Sequence, residues 1–473
     1  MMKLFLRTAI PCGAMMLAAG SCKNQEYSDL HAEVGRVAIA HISPEMARVR
    51  DCVPPFAVIA HRGSTFWTPE ETESAYRWGR ETGVDYLECD MQVSKDGVVL
   101  ALHDDNLSRT TNIEQVFGQD VPAIRYDYYL SLGYSPTEAK AKYETDKKNF
   151  IPLLTNFYTF QELQMLDAGS WFNTANPNQA RSRFTQERQY ISALEDLVRY
   201  AQGKKLRRNA DGQRIYTLAG KTGKTISGLS GTSDMVKYIL EYEEDTQGNS
   251  GNRPGIYIEF KEPWLNPKDF EKIVYDELDR LGMNVITQPE PDNAPFYLNG
   301  RVNVGKTNGK VILQTFSLES LVRVSEFFQG KVPMCFLLWP GNGATDLKYD
   351  TPLGYASFIN LGVKYRAHII GPSIAGAPNN YPDANQPWEA CLIRKSGMLN
   401  HPYSFDSRAQ MEQYYGTYNY GNTDGVYPSP YLDGMFTNRA EMTCRYFIEK
   451  GRRKTPAPQI VPDPEALLVQ LGY

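Results

Sequence analysis

Cysteine is scarce in this sequence, and its few cysteines do not cluster. Seven of the 473 residues are cysteine, and no Cys-x-x-Cys spacing occurs. Beyond the N-terminal region, the cysteines are widely separated and odd in number: Cys52, Cys89, Cys335, Cys391 and Cys444. The pattern supports neither a disulfide framework nor a zinc site. A single disulfide stays open, without a named pair.

A basic surface and long apolar runs are also missing. The formal net charge is −5, and the lysines and arginines are scattered, which excludes the basic footprint of a nucleic-acid-binding protein. Beyond the N-terminal region, no segment is apolar enough to span a bilayer. The hydrophobic fraction of 42% is nevertheless sufficient for a sizeable core, so the chain is not disordered throughout.

The first residues have the pattern of a secretion signal. Lys3 and Arg7 accompany an apolar stretch that ends in Leu17-Ala18-Ala19-Gly20-Ser21-Cys22. Small residues directly before a cysteine are typical of a bacterial lipobox, so residues 1–21 are predicted to be a lipoprotein signal peptide and Cys22 the lipidated residue. An ordinary signal peptide cut nearby is the alternative. The prediction implies a lipid-anchored protein of the bacterial cell envelope, either periplasmic or surface-exposed.

Strand-like and helix-like segments alternate along most of the chain. Apolar runs that predict strands cover residues 56–60, 86–93, 98–102, 256–260, 311–315, 333–338 and 434–437. Amphipathic stretches that predict helices cover residues 71–82, 266–281, 318–328 and 440–449. Such alternation favours a parallel sheet, and about eight repeats would close an α/β (β/α)₈ TIM barrel.

Three stretches interrupt the alternation and predict insertions on the loop side of the barrel. They lie near residues 106–156, 204–252 and 341–388. The predicted organisation is therefore a tether and N-terminal extension over 22–52, one barrel with insertions over 53–452, and a C-terminal tail over 453–473.

Carboxylates and imidazoles lie where early strands are predicted to end. Glu88 and Asp90 are two apart on one strand, so their side chains share a face. Two adjacent buried carboxylates raise each other's pKa unless a cation neutralises them, and a hard ion such as Ca²⁺ or Mg²⁺ prefers oxygen ligands. His61 and His103 follow neighbouring predicted strands, and the C-terminal ends of barrel strands form the active-site face. This combination of groups suits cleavage of a phosphodiester.

Cationic side chains accompany these groups. Arg62 follows His61 directly and offers a forked donor to phosphate oxygens. Glu259 and Lys261 lie two apart at the end of a later predicted strand. Glu259 could complete a metal site, and Lys261 could bind phosphate as a point charge. Taken alone, a Glu-x-Lys pair such as Glu259 and Lys261 is usually a surface ion pair.

Together these segments resemble the glycerophosphodiester phosphodiesterase family, particularly its long extracytoplasmic bacterial branch. The matching elements occur in the family's order: His61-Arg62-Gly63, Pro69-Glu70-Glu71-Thr72, Glu88-Cys89-Asp90, Lys95-Asp96-Gly97, His103-Asp104 with Leu107-Ser108-Arg109-Thr110-Thr111, Glu259-Phe260-Lys261, Gln314-Thr315-Phe316, His401-Pro402-Tyr403 and Asp433-Gly434-Met435-Phe436-Thr437.

The resemblance implies a metal-dependent enzyme on a (β/α)₈ barrel that releases glycerol 3-phosphate and an alcohol from a small glycerophosphodiester. It implies that His61 and His103 are the acid/base pair. The sequence does not settle which of the two is the base, and we prefer His61. The family's residue roles map onto this chain as follows: metal ligands Glu88, Asp90 and Glu259 for one Ca²⁺ or Mg²⁺ ion; phosphate-binding groups Arg62 and Lys261; and Glu70 as a glutamate that orients the site.

Two positions depart from the family pattern. Glu71 stands where a neutral residue is usual and would add a negative charge near the site. Asn438 stands where an aspartate is usual and could change the pocket or the outer metal shell.

Alternative functions stay open at this point. The same barrel could carry a phospholipase-D-like or cyclising lyase, or a non-catalytic surface-binding lipoprotein, although a pure binder does not need two proton carriers. Tyr403 and Phe316 are predicted either to line the pocket or to pack in the core. The sequence does not define the oligomeric state.

Overall fold

The structure is a computed structural model that describes residues 30–186, 188–221, 236–248, 250–339, 347–377, 381–416, 430, 432–453 and 463–473. The predicted signal peptide over residues 1–21 and the predicted lipid anchor at Cys22 lie outside the described residues. Within the described ranges, no helix is long and apolar enough to cross a membrane.

Eight parallel strands form the centre of the molecule. They are β1 (Ala57–Ala60), β2 (Tyr86–Val93), β3 (Gly255–Phe260), β4 (Val311–Thr315), β5 (Met334–Leu338), β6 (Ile369–Pro372), β7 (Leu399–Asn400) and β8 (Gly434–Thr437). Nearly every residue in them is buried. This burial explains their continuous apolar runs, because helices cover the outer face and side chains fill the interior.

The sheet closes on itself. The paired order runs β7-β6-β5-β4-β3-β2-β1-β8. Between the two ends, Phe405 forms a parallel bridge to Thr437, and the Asp433 N–H donates to the Asn400 carbonyl at 2.8 Å. The predicted (β/α)₈ barrel is therefore confirmed.

One helix packs outside the barrel after each strand. These are α1 (Glu73–Thr82), α2 (Leu194–Ala201), α3 (Phe270–Arg280), α4 (Leu318–Phe328), α5 (Pro352–Lys364), α6 (Pro387–Ser396), α7 (Arg408–Tyr415) and α8 (Ala440–Glu449). Their buried faces and the outward faces of the strands form the main apolar core.

Short elements decorate the barrel. The additional strands are Val99–Ala101, Ser192–Ala193, Lys204–Leu206, Tyr216–Lys221, Val236–Leu240, Tyr242–Glu244, Tyr297–Leu298 and Arg301–Val302. The additional helices are Pro44–Arg50, Ile113–Val116, Ile124–Ser131, Pro136–Asn149, Phe160–Leu163, Ser170–Ala175, Arg183–Gln186 and Pro464–Gln470, with 3₁₀ turns at His61–Gly63, Thr155–Phe157 and Val304–Lys306.

The predicted strand over residues 98–102 is not a strand of the parallel barrel. Val99–Ala101 pairs antiparallel with the second half of β2, with Val99 opposite Val93. Gly97, at φ 90°, closes the tight turn between the two strands, where a residue with a side chain would be strained. The hairpin carries the chain back along β2, so that Leu102 N–H donates to the Asp90 carbonyl at 2.8 Å.

The predicted insertion over residues 341–388 is wrong for much of its length. Residues within it form α5, β6 and the start of α6, which are regular parts of the barrel. From sequence alone, the prolines of this stretch indicate a loop. In the structure, Pro352 and Pro387 occupy first-turn positions of α5 and α6, where proline is favoured. By contrast, residues 106–156 contain helices that lie outside the barrel, and residues 204–221 and 236–248 contain paired antiparallel strands.

Candidate active site

The predicted site residues come from three neighbouring strands. His61 and Arg62 follow β1 in a tight turn, in which Arg62 and Gly63 have φ of 50° and 86°. Glu88 and Asp90 lie on β2, and the β2–β3 register places Asp90 beside Glu259. Parallel pairing therefore aligns these groups at one rim of the barrel.

Three carboxylates form a compact buried cluster. Oxygen atoms of Glu88, Asp90 and Glu259 lie within 4.8 Å of one another, and each residue is at most 5% exposed. Burial and the neighbouring Asp90 raise the pKa of Glu88 well above its usual range. Burial also raises the pKa of Glu259 to about 8. The pKa of Asp90 is low, because Lys261, His103 and Arg62 outweigh the effect of its burial.

This cluster fits a divalent cation. Within the described part of the chain, Asp90 Oδ2 is buried and has no hydrogen-bond partner. A hard cation would replace the protons that the raised pKa values imply, and its preferred ligands are the oxygen atoms present here. The predicted metal ligands are thus brought together, which is the arrangement that the prediction required.

His61 is held by an amide. Its Nδ1 lies 2.8 Å from Oδ1 of Asn438, whose Nδ2 donates to Asp406 at 2.9 Å. Because Oδ1 can only accept, Nδ1 of His61 carries the proton and Nε2 keeps its lone pair. Burial and the adjacent Arg62 lower the pKa of His61 to about 3.

His103 is held by a carboxylate. Its Nδ1 contacts Asp104, and its Nε2 lies 3.1 Å from Nζ of Lys261. Burial, then Arg62 and Lys261, lower the pKa of His103 below its usual value, whereas Asp104 acts in the opposite direction. Of the two imidazoles, His103 alone therefore has a carboxylate as the partner of Nδ1.

The predicted phosphate-binding groups also face the cluster. Nζ of Lys261 lies 3.7 Å from Asp90 and 3.6 Å from Glu259. The Arg62 guanidinium lies 3.4 Å from both Glu70 and Asp90. The backbone N–H of Arg62 donates to the Glu88 carboxylate at 2.7 Å. Two cationic side chains thus border the acidic cluster.

A bridge of charged groups connects Glu70 to His103. Arg109 donates from one edge of its guanidinium to Glu70, with one contact of 3.2 Å, and from Nε to Asp104. Glu70 in turn pairs with Arg62. Glu70 therefore orients Arg62 and Arg109 within the protein.

Four residues support the site through contacts that the sequence did not predict, although Asn438 had been noted as a departure from the family pattern. Gln314 Nε2 donates to Glu88 at 2.8 Å, Asn438 orients His61, and Asp104 and Arg109 orient His103. All four lie in or next to the motifs that carried the resemblance. Their role depends on pairings across the fold, which the motifs do not specify.

Glu71 is not a solvent-exposed charge at the rim of the barrel. It is 3% exposed, and its Oε1 accepts a hydrogen bond from the backbone N–H of Asp90 at 2.6 Å. Burial and the Asp90 carboxylate raise its pKa well above the usual range. The additional acid therefore binds the backbone of β2 at Asp90, next to the carboxylate cluster.

The groups border one cavity of about 330 Å³. Its polar wall includes both imidazoles, the three carboxylates, Arg62 and Lys261. The facing wall is aromatic and includes Trp264, Phe316, Trp339, Tyr381, Tyr403 and Phe436. Phe316 and Tyr403 also contact each other, with ring centroids 5.8 Å apart. Both predicted alternatives therefore apply, because these residues line the cavity and also pack against a neighbouring ring.

The structure is a (β/α)₈ barrel with a cluster of three buried carboxylates and two imidazoles in one cavity. A sequence model of the glycerophosphoryl diester phosphodiesterase family matches residues 61–242. Over these residues the chain resembles this family, as the sequence motifs predicted. The match includes His61, Asp90 and His103, and the structure adds Glu259 and Lys261 from beyond it.

Individual relatives have similar names. A glycerophosphodiester phosphodiesterase of Bacillus subtilis is 24% identical over 357 residues, which cover 75% of this chain and 78% of the relative. A glycerophosphoinositol inositolphosphodiesterase of Mus musculus is 26% identical over 260 residues, 52% of this chain and 43% of the relative, so the match spans less than half of that protein.

Solved structures are similar to this chain at low identity. An Oleispira antarctica phosphodiesterase in complex with the product sn-glycerol-3-phosphate is 14% identical, with a TM-score of 0.43 over 83% of this chain and 97% of the other.

Proposed function

We propose that this chain hydrolyses glycerophosphodiesters to glycerol 3-phosphate and an alcohol, with a divalent cation and two histidines. The observation that carries the proposal is the triad of Glu88, Asp90 and Glu259, whose oxygens lie within 4.8 Å of one another in the cavity that His61 and His103 also line. The name of the Bacillus subtilis relative supports the same substrate class.

The carboxylate triad would hold one Ca²⁺ or Mg²⁺ ion. When bound, the ion supplies positive charge that stabilises the phosphoryl oxygens in the transition state. Gln314 fixes one oxygen of Glu88, and Glu71 fixes the backbone of Asp90. These contacts keep the ligand oxygens in place before substrate arrives.

The partners of the two imidazoles support different roles for them. His61 is held neutral by an amide, with Nε2 available as an acceptor, so it suits removal of a proton from the attacking water. His103 faces Asp104, which stabilises an imidazolium, so it suits donation of a proton to the leaving alkoxide. This order agrees with our preference for His61 as the base, which the sequence left open.

Arg62 and Lys261 would bind the phosphoryl oxygens. Arg62 offers a planar fork that Glu70 orients. Lys261 donates to Nε2 of His103 in the structure. A phosphate oxygen would compete for the same ammonium group and release Nε2 for protonation.

The decisive experiment is turnover of glycerophosphocholine, with products identified by phosphorus NMR. With Ca²⁺ or Mg²⁺ present we expect glycerol 3-phosphate, and EDTA should abolish its formation. His103→Ala should lower kcat by about two to four orders of magnitude, whereas Glu319→Gln, on the exposed side of α4, serves as the matched surface control.

Three outcomes would contradict the proposal. Turnover that survives EDTA would reject the cation site, and near-wild-type turnover by His103→Ala would reject its role as an acid. A cyclic phosphate as the final product would favour the lyase alternative. The lipid anchor at Cys22 and the envelope location stay proposals based on sequence.

A further inference from the structure

Asp406 extends the contact between His61 and Asn438 by one more hydrogen bond. Its Oδ1 accepts from Nδ2 of Asn438 at 2.9 Å, and Oδ1 of Asn438 lies 2.8 Å from Nδ1 of His61. Asp406 does not line the cavity, and it has no part in the chemistry proposed above. Its only connection to that chemistry is the amide of Asn438.

The backbone of Asn438 is held in place without Asp406. Its N–H donates to the Phe405 carbonyl at 3.1 Å. Its carbonyl accepts from the Ser64 hydroxyl at 3.0 Å and from the Phe66 N–H at 3.1 Å. These contacts fix the position of the residue, so the side chain retains one main choice, which is the direction in which its amide group faces.

The direction of this amide determines the tautomer of His61. With the amide oxygen towards Nδ1, the neutral imidazole carries its proton on Nδ1, and Nε2 keeps a lone pair. With the amide reversed, the Asn438 nitrogen would donate to Nδ1, and the imidazole proton would lie on Nε2. His61 could then accept no proton at Nε2, so the reversed amide would leave it inactive as a base.

Among the described residues that bond to this amide, only Asp406 distinguishes the two directions. The Thr65 hydroxyl, 3.1 Å from Oδ1 of Asn438, can donate or accept, and Nδ1 of a neutral imidazole can also do either. An ionised carboxylate can only accept, so the amide nitrogen of Asn438 must face Asp406. The oxygen of the amide then faces His61.

The carboxylate of Asp406 has no other bonded partner in the described part of the chain. Its Oδ2 is buried and makes no hydrogen bond there, and the nearby Arg439 pairs with Glu441 at 3.1 Å. Burial raises the pKa of Asp406 to about 6, although the Asn438 hydrogen bond and Arg439 act in the opposite direction. Asp406 is therefore ionised at pH 8. A half-buried carboxylate without an ion pair costs folding free energy, which favours a role in the site over a role in stability.

We propose that Asp406 is a positioning residue that fixes the tautomer of His61 by holding the amide of Asn438 in one direction. The inference deepens the proposed function and rests on it, since Nε2 of His61 is there the acceptor of the proton from water. Asp406 acts on turnover only through Asn438 and His61.

Asp406→Asn tests this role with almost no change in shape. An amide at position 406 can offer either its oxygen or its nitrogen, so the amide of Asn438 becomes free to reverse. Nitrogen-15 NMR of histidine-labelled protein, at pH 8 with Mg²⁺, reports which ring nitrogen carries the proton, and the signals of His61 are those lost in His61→Gln. In wild type we expect Nδ1 protonated and Nε2 unprotonated. In Asp406→Asn the two chemical shifts should move towards each other, because both tautomers are populated.

Turnover of glycerophosphocholine at pH 8 gives a second measurement. Asp406→Asn should lower kcat by about two- to tenfold, because only molecules with an unprotonated Nε2 are competent. KM should stay unchanged, since Arg62 and Lys261 are the groups proposed to bind the phosphate.

Asp167→Asn is the matched control. Asp167 is also half-buried, does not line the cavity, and accepts from the backbone N–H groups of Gly169 and Ser170 at 2.8 Å and 3.0 Å. It should keep the wild-type kcat and the wild-type nitrogen shifts of His61.

The outcomes separate the inference from the proposed function. A protonated Nε2 in wild type, or wild-type His61 shifts in Asp406→Asn, would overturn the inference whatever the activity. Mixed tautomers with an unchanged kcat would support the role of Asp406 and reject His61 as the base. If wild type does not hydrolyse the substrate, the proposed function fails, and the NMR comparison still decides the role of Asp406. Should Asp406→Asn not fold, Asp406→Ser offers the same choice of donor or acceptor and is judged by the same shifts.

Discussion

At the residue scale, the two imidazoles differ in the atom that faces Nδ1. An amide oxygen of Asn438 holds His61, and a carboxylate of Asp104 holds His103. An amide orients a neutral imidazole without stabilising its protonated form, whereas a carboxylate does both. The cavity therefore gives the two histidines different partners: an amide that only accepts for His61, and a carboxylate that favours the protonated ring for His103.

Replacing Asn438 by aspartate tests this distinction. The new carboxylate, next to that of Asp406, would stabilise the imidazolium and raise the pKa of His61. Because the proposed mechanism needs neutral His61, the acid limb of the kcat/KM profile should move to higher pH by about one unit or more. Asn209→Asp makes the same charge change in an exposed turn and should leave the profile in place. An unmoved acid limb in Asn438→Asp would show that His61 is not the base.

The sequence predicted the acids, imidazoles and cations of the candidate site better than it predicted the contacts that hold them in place. The acidic pair, both imidazoles and the two cations were found because each follows or lies on an apolar run, and strand periodicity fixes which side chains share a face. The supporting contacts were not found, since Asn438 and Gln314 reach their partners across 377 and 226 residues of sequence. No local pattern encodes such pairings.

At the element scale, the hairpin after β2 determines where His103 lies. Residues 98–102 were predicted as a strand, and the structure confirms an extended segment at Val99–Ala101 but pairs it antiparallel to β2. Strand propensity is the same in both arrangements, and only the short turn at Gly97 distinguishes them. The hairpin delivers His103 to the same rim that a parallel strand would have reached.

Arg109 ties this hairpin to the loop that follows β1. Its guanidinium joins Asp104 to Glu70, and so links the support of His103 to that of Arg62. Arg109→Gln should lower kcat/KM by about ten- to a hundredfold, since supporting contacts of a site typically have effects of this size. As a control, Arg323→Gln breaks a comparable bidentate ion pair with Glu271 away from the cavity. This variant should keep wild-type kcat/KM. Equal activities of the two variants would contradict the bridge.

At the scale of the whole molecule, barrel closure could be predicted although one unit of it was missed. The alternation of strands and helices implied about eight repeats, but α5 and β6 lay in a stretch rich in Gly, Pro and Asn. Composition suggested a loop there because proline breaks helix interiors, while Pro352 instead begins α5. The expected number of β/α repeats therefore predicted the closed barrel better than the amino-acid composition of any single segment did.

The closed barrel buries two histidines that have no part in the proposed chemistry, and they make folding sensitive to acid. His368 and His401 are both fully buried. Burial lowers the pKa of His368 to about 4 and that of His401 to about 3, from an unfolded value of 6.5. Below pH 6.5 the unfolded chain binds protons that the folded chain cannot, so stability is fully present above that pH and falls as the pH drops towards these lower values.

Each histidine should therefore reduce the free energy of unfolding by about 1.4 kcal/mol per pH unit between pH 6 and 4. Urea unfolding at pH 7 and pH 5 measures this loss in the wild type and in His368→Asn/His401→Asn. The double variant starts less stable, because it alters the core, but it should lose less further stability on acidification. His41→Asn, at an exposed histidine, should retain the wild-type loss. An equal acid-induced loss in the double variant would mean that these rings do not resist protonation, and that other groups destabilise the barrel in acid.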